Sequence, residues 1–88
     1  MNPDDKIIEN AVKNAASDLK IGYQEVQDKL QFLRFYDNLY SMFGGNLEQM
    51  VHWFYSGNSY LKYTPVLRIN NNFYVKQMNE YLEAFRYR

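Results

Sequence analysis

Eighty-eight residues amount to 10.6 kDa, a single domain's worth of chain, which excludes an enzyme built as two domains around a cleft. A composition that is 47% hydrophobic and 18% aromatic, with nine Tyr and six Phe, excludes a disordered chain and predicts a packed core. Ten Lys and Arg balance ten Asp and Glu, so the global electrostatic pull behind nonspecific binding of nucleic acid or anionic membrane is missing.

Asn2 before Pro3 supplies a polar cap and a first-turn proline, and Asp4 and Asp5 place negative charge where a helix N-terminus is partly positive. Ile7, Ile8, Ala11, Val12, Ala15, Ala16 and Leu19 then recur at three- and four-residue intervals up to Gly22. This pattern predicts an amphipathic helix of about five turns over 1–22. From Tyr23 two apolar stripes overlap: Val26, Leu30, Leu33 and Tyr36 or Asp37 form one, and Phe32, Phe35, Leu39, Met42 and Phe43 the other. A helix that is apolar on two faces must be covered on several sides, so 23–43 is predicted as the hub of a bundle, stopped by Gly44 and Gly45. Leu33 and Leu39 are both assigned to that hub.

Asn46 offers the next N-cap, with Gln49 placed to reach back in a capping box, ahead of Leu47, Met50, Val51 and Phe54. This helix is predicted to run to about Tyr55 and to carry Trp53 as a core anchor. The turn formers Ser56 to Ser59 follow, and Thr64 with Pro65 starts a short helical piece through Ile69. After the break at Asn70 to Asn72, a last helix gathers Phe73 or Tyr74, Met78, Tyr81, Leu82 and Phe85 as its core face. A strand over Tyr60 to Tyr74 would need a partner, and nothing else in the chain reads as extended. The predicted fold is therefore all-α: one domain over 1–88, with four main helices and a short helical segment near Pro65.

The chain has no cysteine, hence no disulfide framework, thiol nucleophile or thiolate zinc site. Its opening acids do not resemble a signal peptide and no apolar run approaches a membrane span, so a cytoplasmic chain without membrane contact is expected. His52 is the sole histidine, and no serine or carboxylate is spaced to work with it. No catalytic residue, metal or cofactor is predicted.

Charge is uneven along the chain. Residues 61–88 hold five bases and two acids, whereas residues 1–30 hold six acids and four bases. Interleaved aromatics in the basic third suit either base stacking or a protein interface, and the preference of interfaces for Tyr and Arg puts protein binding ahead. The predicted partner-binding residues are Tyr60, Lys62, Tyr63, Arg68, Arg86, Tyr87 and Arg88. A second copy of the chain is a further partner that the sequence leaves open.

Over 30–86 the run LYSMFGGNLEQMVHWFYSGNSYLKYTPVLRI, followed by MNEYLEAF, resembles the C-terminal, toxin-binding domain of the MbcA/ParS/Xre family of antitoxins. The matching residues are Phe43 with Gly44, Trp53, Asn58 with Leu61, Pro65 with Leu67 and Ile69, and Met78 with Leu82. The resemblance implies a non-catalytic inhibitor whose partner is a toxin with a RES-type, NAD-consuming domain, blocked when the antitoxin's C-terminal end reaches the toxin's active site. Fuller members add an operator-binding helix-turn-helix. Here the segment AVKNAASDLKIGYQEVQDKL has room for its opening helix pair only, so operator binding is not implied. The competing readings are a small phage or plasmid inhibitor of another host protein, and a truncated nucleic-acid-binding regulator.

Overall fold

The computed structural model describes residues 3–86. Its helices are α1 (Pro3–Asp18), α2 (Lys29–Met42), α3 (Leu47–Tyr55) and α4 (Asn72–Arg86), with short 3-10 turns at Tyr23–Glu25 and Pro65–Arg68. Among the described residues extended pairing is limited to one isolated bridge, Asn58 with Tyr63. The fold is all-α, with four helices and the expected short segment at Pro65.

α2 is the hub, packing against α1, α3 and α4. The buried core takes Val12, Ala15, Ala16 and Leu19 from α1, Phe32, Phe35 and Leu39 from α2, Met50 and Phe54 from α3, and Val75, Met78 and Leu82 from α4. Leu61 and Ile69 seal it from the connecting segment. Of the two stripes on the central helix, the second is buried at Phe32, Phe35 and Leu39 and emerges at its end, where Phe43 is half-buried. Leu33 and Tyr36 are half-buried, and Leu30 and Met42 are exposed. Ile7 likewise stays outside the core.

The predicted start of the central helix at Tyr23 is six residues too early. Asp28 is extended and its side chain accepts from the Gln31 N–H at 3.0 Å, so the helix begins at Lys29 and the preceding residues form only a single tight turn. The carboxylate satisfies one orphan donor of the first turn, which an uninterrupted helix would not need. At the other end the glycine pair acts as predicted: Gly44 and Gly45 both have positive φ, and the Gly45 N–H closes on the Tyr40 carbonyl at 2.9 Å. Asn46 caps α3 by accepting from the Gln49 N–H at 3.0 Å. The reciprocal half of the predicted capping box does not form, because the Asn46 N–H already donates to the Phe43 carbonyl.

α1 also stops before the predicted Gly22. Its terminator is Lys20, at φ 61°, with the Ile21 N–H bonded to the Ala16 carbonyl and the Lys20 N–H to the Ser17 carbonyl, each at 3.0 Å. This is the Schellman closure with lysine in the left-handed position that glycine usually fills. Lys20→Gly is therefore expected to stabilise the protein by about 0.5 to 1 kcal/mol, the relief of left-handed strain exceeding the added freedom of the unfolded chain. A raised thermal midpoint is the expected reading, and a lowered one would show that the lysine stem matters more than its backbone. The same residue's carbonyl accepts from the Tyr55 hydroxyl at 2.7 Å, tying α3 to the end of α1. Tyr36 ties α1 to α2 by donating to Asp18 at 2.6 Å, and burial together with this carboxylate pushes its phenol up to about 12.

α4 is held to α2 by a polar ladder inside an otherwise apolar seam. The Asn38 amide donates to Asn79 Oδ1 at 3.1 Å and to Glu83 Oε2 at 2.9 Å, and the Asn79 amide donates to the Gln31 side-chain oxygen at 2.9 Å and to its carbonyl at 3.2 Å. Arg34 forms a two-pronged ion pair with Glu83, and Arg86 reaches Asp37 at 3.1 Å. The Arg34 guanidinium, helped by the Asn38 amide, holds the Glu83 carboxyl below its usual range despite partial desolvation. A carboxyl with a depressed pKa in the folded state contributes its stability fully above the ordinary value of about 4.5 and loses it as pH falls through the lower folded value. Wild-type protein is thus expected to lose stability below about pH 4.5 more steeply than Glu83→Gln. Parallel acid-unfolding curves for the two proteins would contradict this.

Candidate protein-binding face

The face is built by the 58–63 loop lying along one flank of α4. Asn58 shapes the loop: its side-chain oxygen accepts from the N–H groups of Tyr60 and Leu61, each at 2.9 Å. Its own N–H donates to the Tyr63 carbonyl at 3.1 Å, and its carbonyl accepts from the Lys62 N–H at 2.8 Å. Lys62 takes a left-handed φ of 74° to complete the closure. The loop therefore drives Leu61 into the core and turns Tyr60 outward, 4% and 72% exposed respectively.

The outward rings meet the flank of α4 in two groups. Tyr60 lies against Tyr81 with centroids 4.7 Å apart, and Tyr81 meets Phe85 edge-on at 5.0 Å. Tyr63 meets Tyr74 edge-on at 5.1 Å, and Tyr74 meets Phe73 at 5.3 Å. The Tyr63 hydroxyl donates to Gln77 at 2.8 Å between the two groups, and burial pushes its phenol up. Arg68 stands over the Tyr74 ring at 4.9 Å, a cation held on the aromatic face. From Phe73 to Phe85 the row follows α4 for about 18 Å at the helical rise. Beside it Tyr60 and Leu61 face Gln77, Glu80, Ala84 and Phe85 across a groove of about 440 Å³.

Of the residues predicted to bind a partner, Tyr60, Tyr63 and Arg68 are brought to this face, and Lys62 is exposed on its loop. Arg86 is not. It follows Asn79 and Leu82 on the α2 side of the helix, where it pairs with Asp37 and donates to Asn38 Oδ1 at 3.0 Å. Tyr87 and Arg88 lie outside the described residues.

The core assignment for α4 also needs correction. Val75, Met78, Asn79 and Leu82 are the buried positions, which leaves Phe73 at 72% and Phe85 at 43% exposure and Tyr74 and Tyr81 half-buried. These four aromatics belong to the face: Phe73 and Phe85 lie outside the core that the helical spacing predicts for them, whereas Tyr74 and Tyr81 pack against its edge with one side and join the face with the other. Centring the helix on Val75 and Asn79 would have put them on its flank.

Trp53 does two jobs. It is half-buried against the core, 6.1 Å from Phe35 between ring centroids, and it also lines a groove along α3. His52 is exposed on the same helix. Among the described residues no group of three or more His, Cys, Asp or Glu is arranged to hold a metal, and no helix is long and apolar enough to cross a membrane. Compared with protein-family models, with curated proteins and with solved structures, the chain gives no match.

Proposed function

We propose that this chain is a non-catalytic protein-binding module that presents the aromatic row of α4 and the 58–63 loop to a protein. The partner in this reading is a toxin with a RES-type, NAD-consuming domain, which the chain inhibits as an antitoxin. The observation that carries the binding role is the row itself: Tyr60 and Phe73 are each 72% exposed, yet both are packed against neighbouring rings. Rigid aromatic area of this kind loses little conformational freedom when a partner covers it. The choice of partner rests on the resemblance. Asn58, which shapes the loop, and Leu61, Ile69, Met78 and Leu82, which sit in the core beneath the row, are all among its residues. In this reading, as the resemblance implies, the C-terminal end of the chain with Tyr87 and Arg88 reaches the toxin's active site.

Affinity capture from the native host with mass spectrometry tests the proposal, followed by assay of NAD consumption by the captured protein. The expected result is a RES-domain protein whose NAD consumption stops on addition of the chain. Tyr60→Ala combined with Phe85→Ala is expected to weaken that complex about 30-fold or more, the loss of one interface hot spot. Unchanged affinity of this variant would move the interface off the aromatic row. A duplex or single-stranded DNA shift with steep salt dependence would replace the protein partner by nucleic acid, served by Lys62, Arg68 and the same rings.

A further inference from the structure

The outer side of α4 carries a stripe that stays open among the described residues. Phe73, Gln77, Glu80 and Ala84 are all exposed, and their four-, three- and four-residue spacing sets them within about 60° of one another around the helix, opposite the buried Val75 and Leu82. This is the spacing of a coiled-coil seam. The two ends of the stripe differ in size. At one end the Phe73 ring stands 72% exposed. At the other, about 16 Å along the axis, the small Ala84 lies in the groove that it lines together with Tyr60, Tyr81 and Phe85. Between the ends, Gln77 accepts from the Tyr63 hydroxyl at 2.8 Å through its side-chain oxygen, and its amide nitrogen has no partner among the described residues. Glu80, one turn further on, has neither an ion pair nor a hydrogen bond to its carboxylate among them.

Each half of this stripe complements the other half. A two-fold axis crossing α4 at the level of Met78 and Asn79 reverses the order of the four residues. Phe73 of one copy then faces Ala84 of the second, and Gln77 of one copy faces Glu80 of the second, each pairing being made twice. The large ring enters the groove over the small residue, as a knob enters a hole, and the unpaired amide donates to the unpaired carboxylate. A formal net charge of zero lets two copies meet without overall repulsion. We infer that the chain forms an antiparallel two-fold dimer through α4, in the register that places Phe73 on Ala84 and Gln77 on Glu80. The dimer covers part of the aromatic row and so competes with partner binding there, but it does not rest on the toxin reading.

Sedimentation of the full chain from about 10 μM to about 1 mM, a range that registers weak and moderate dimers, tests this. Expected is a rise in mean mass from one chain toward two. Phe73→Ala should weaken the dimer about tenfold or more, by removing the knob. Gln77→Glu sets carboxylate against carboxylate at two places and should also weaken it about tenfold. Adding Glu80→Gln to Gln77→Glu exchanges the two groups, and association should return to the wild-type level because each amide again meets a carboxylate. All three residues are exposed, so the variants fold, and helical circular dichroism matching wild type checks this. A monomer at every concentration overturns the inference. A dimer indifferent to both Phe73→Ala and Gln77→Glu overturns it by placing the interface elsewhere. So does a Gln77→Glu variant that Glu80→Gln fails to rescue, since the helices would then meet in another register.

Discussion

Phe35→Ala is expected to destabilise the protein by about 3 to 5 kcal/mol, a large share of the total for a chain of this size. Phe35 is fully buried at the centre of the hub, with its ring centroid 5.7 Å from Phe54, 6.1 Å from Trp53 and 6.4 Å from Phe32. Truncation removes the surface through which α2 meets α3 and leaves a void that rigid neighbouring rings fill poorly. Leu39→Ala, also at a fully buried site, should cost about 2 to 5 kcal/mol. Leu33→Ala should cost only about 1 kcal/mol, since Leu33 is half-buried at the edge of the same helix. Urea unfolding midpoints for the three variants give the test. Equal losses for Leu33 and Leu39 would mean that both stripes of α2 are covered.

The second large effect is expected at Asn79, which is fully buried in the α2–α4 seam. Asn79→Leu removes both the acceptor for the Asn38 amide and the donor to Gln31. It should cost about 2 to 3 kcal/mol, because polar groups inside the seam are then left without partners. The double variant Asn38→Leu, Asn79→Leu replaces both ends of the pair by apolar groups and should recover most of the loss. A double-mutant cycle measures the coupling directly. Additive losses would show that the two asparagines act separately. Recovery of stability accompanied by broadened NMR signals in α4 would instead assign the pair to fixing how the two helices align, at the expense of raw stability.

Helix number, order and most boundaries were legible in the sequence because they depend on neighbours a few residues away. Asn46 as a cap, the Gly44 and Gly45 stop and the first-turn Pro65 act through bonds of short range, and the structure shows them in those roles. Where local chemistry was overlooked the boundary moved, as at Asp28, whose side chain caps α2, and at Lys20, which takes a left-handed φ in spite of its side chain. Helical periodicity also says which residues share a face. It does not say which of two apolar faces a neighbouring helix will cover.

That choice belonged to the tertiary structure. It buried Phe32, Phe35 and Leu39 rather than Leu30, and placed Val75 and Asn79 at the centre of α4's packed face. Phe73, Tyr74, Tyr81 and Phe85 were thereby turned to the flank, where Tyr60 and Tyr63 join them. The Asn38 to Asn79 bond spans 41 residues and the Arg86 to Asp37 pair 49. Polar residues read in isolation look solvent-exposed, and only the approach of α4 to α2 supplies the partners that make their burial affordable. The aromatic row follows from the same rotation, since a helix that buries one stripe must present the stripe beside it.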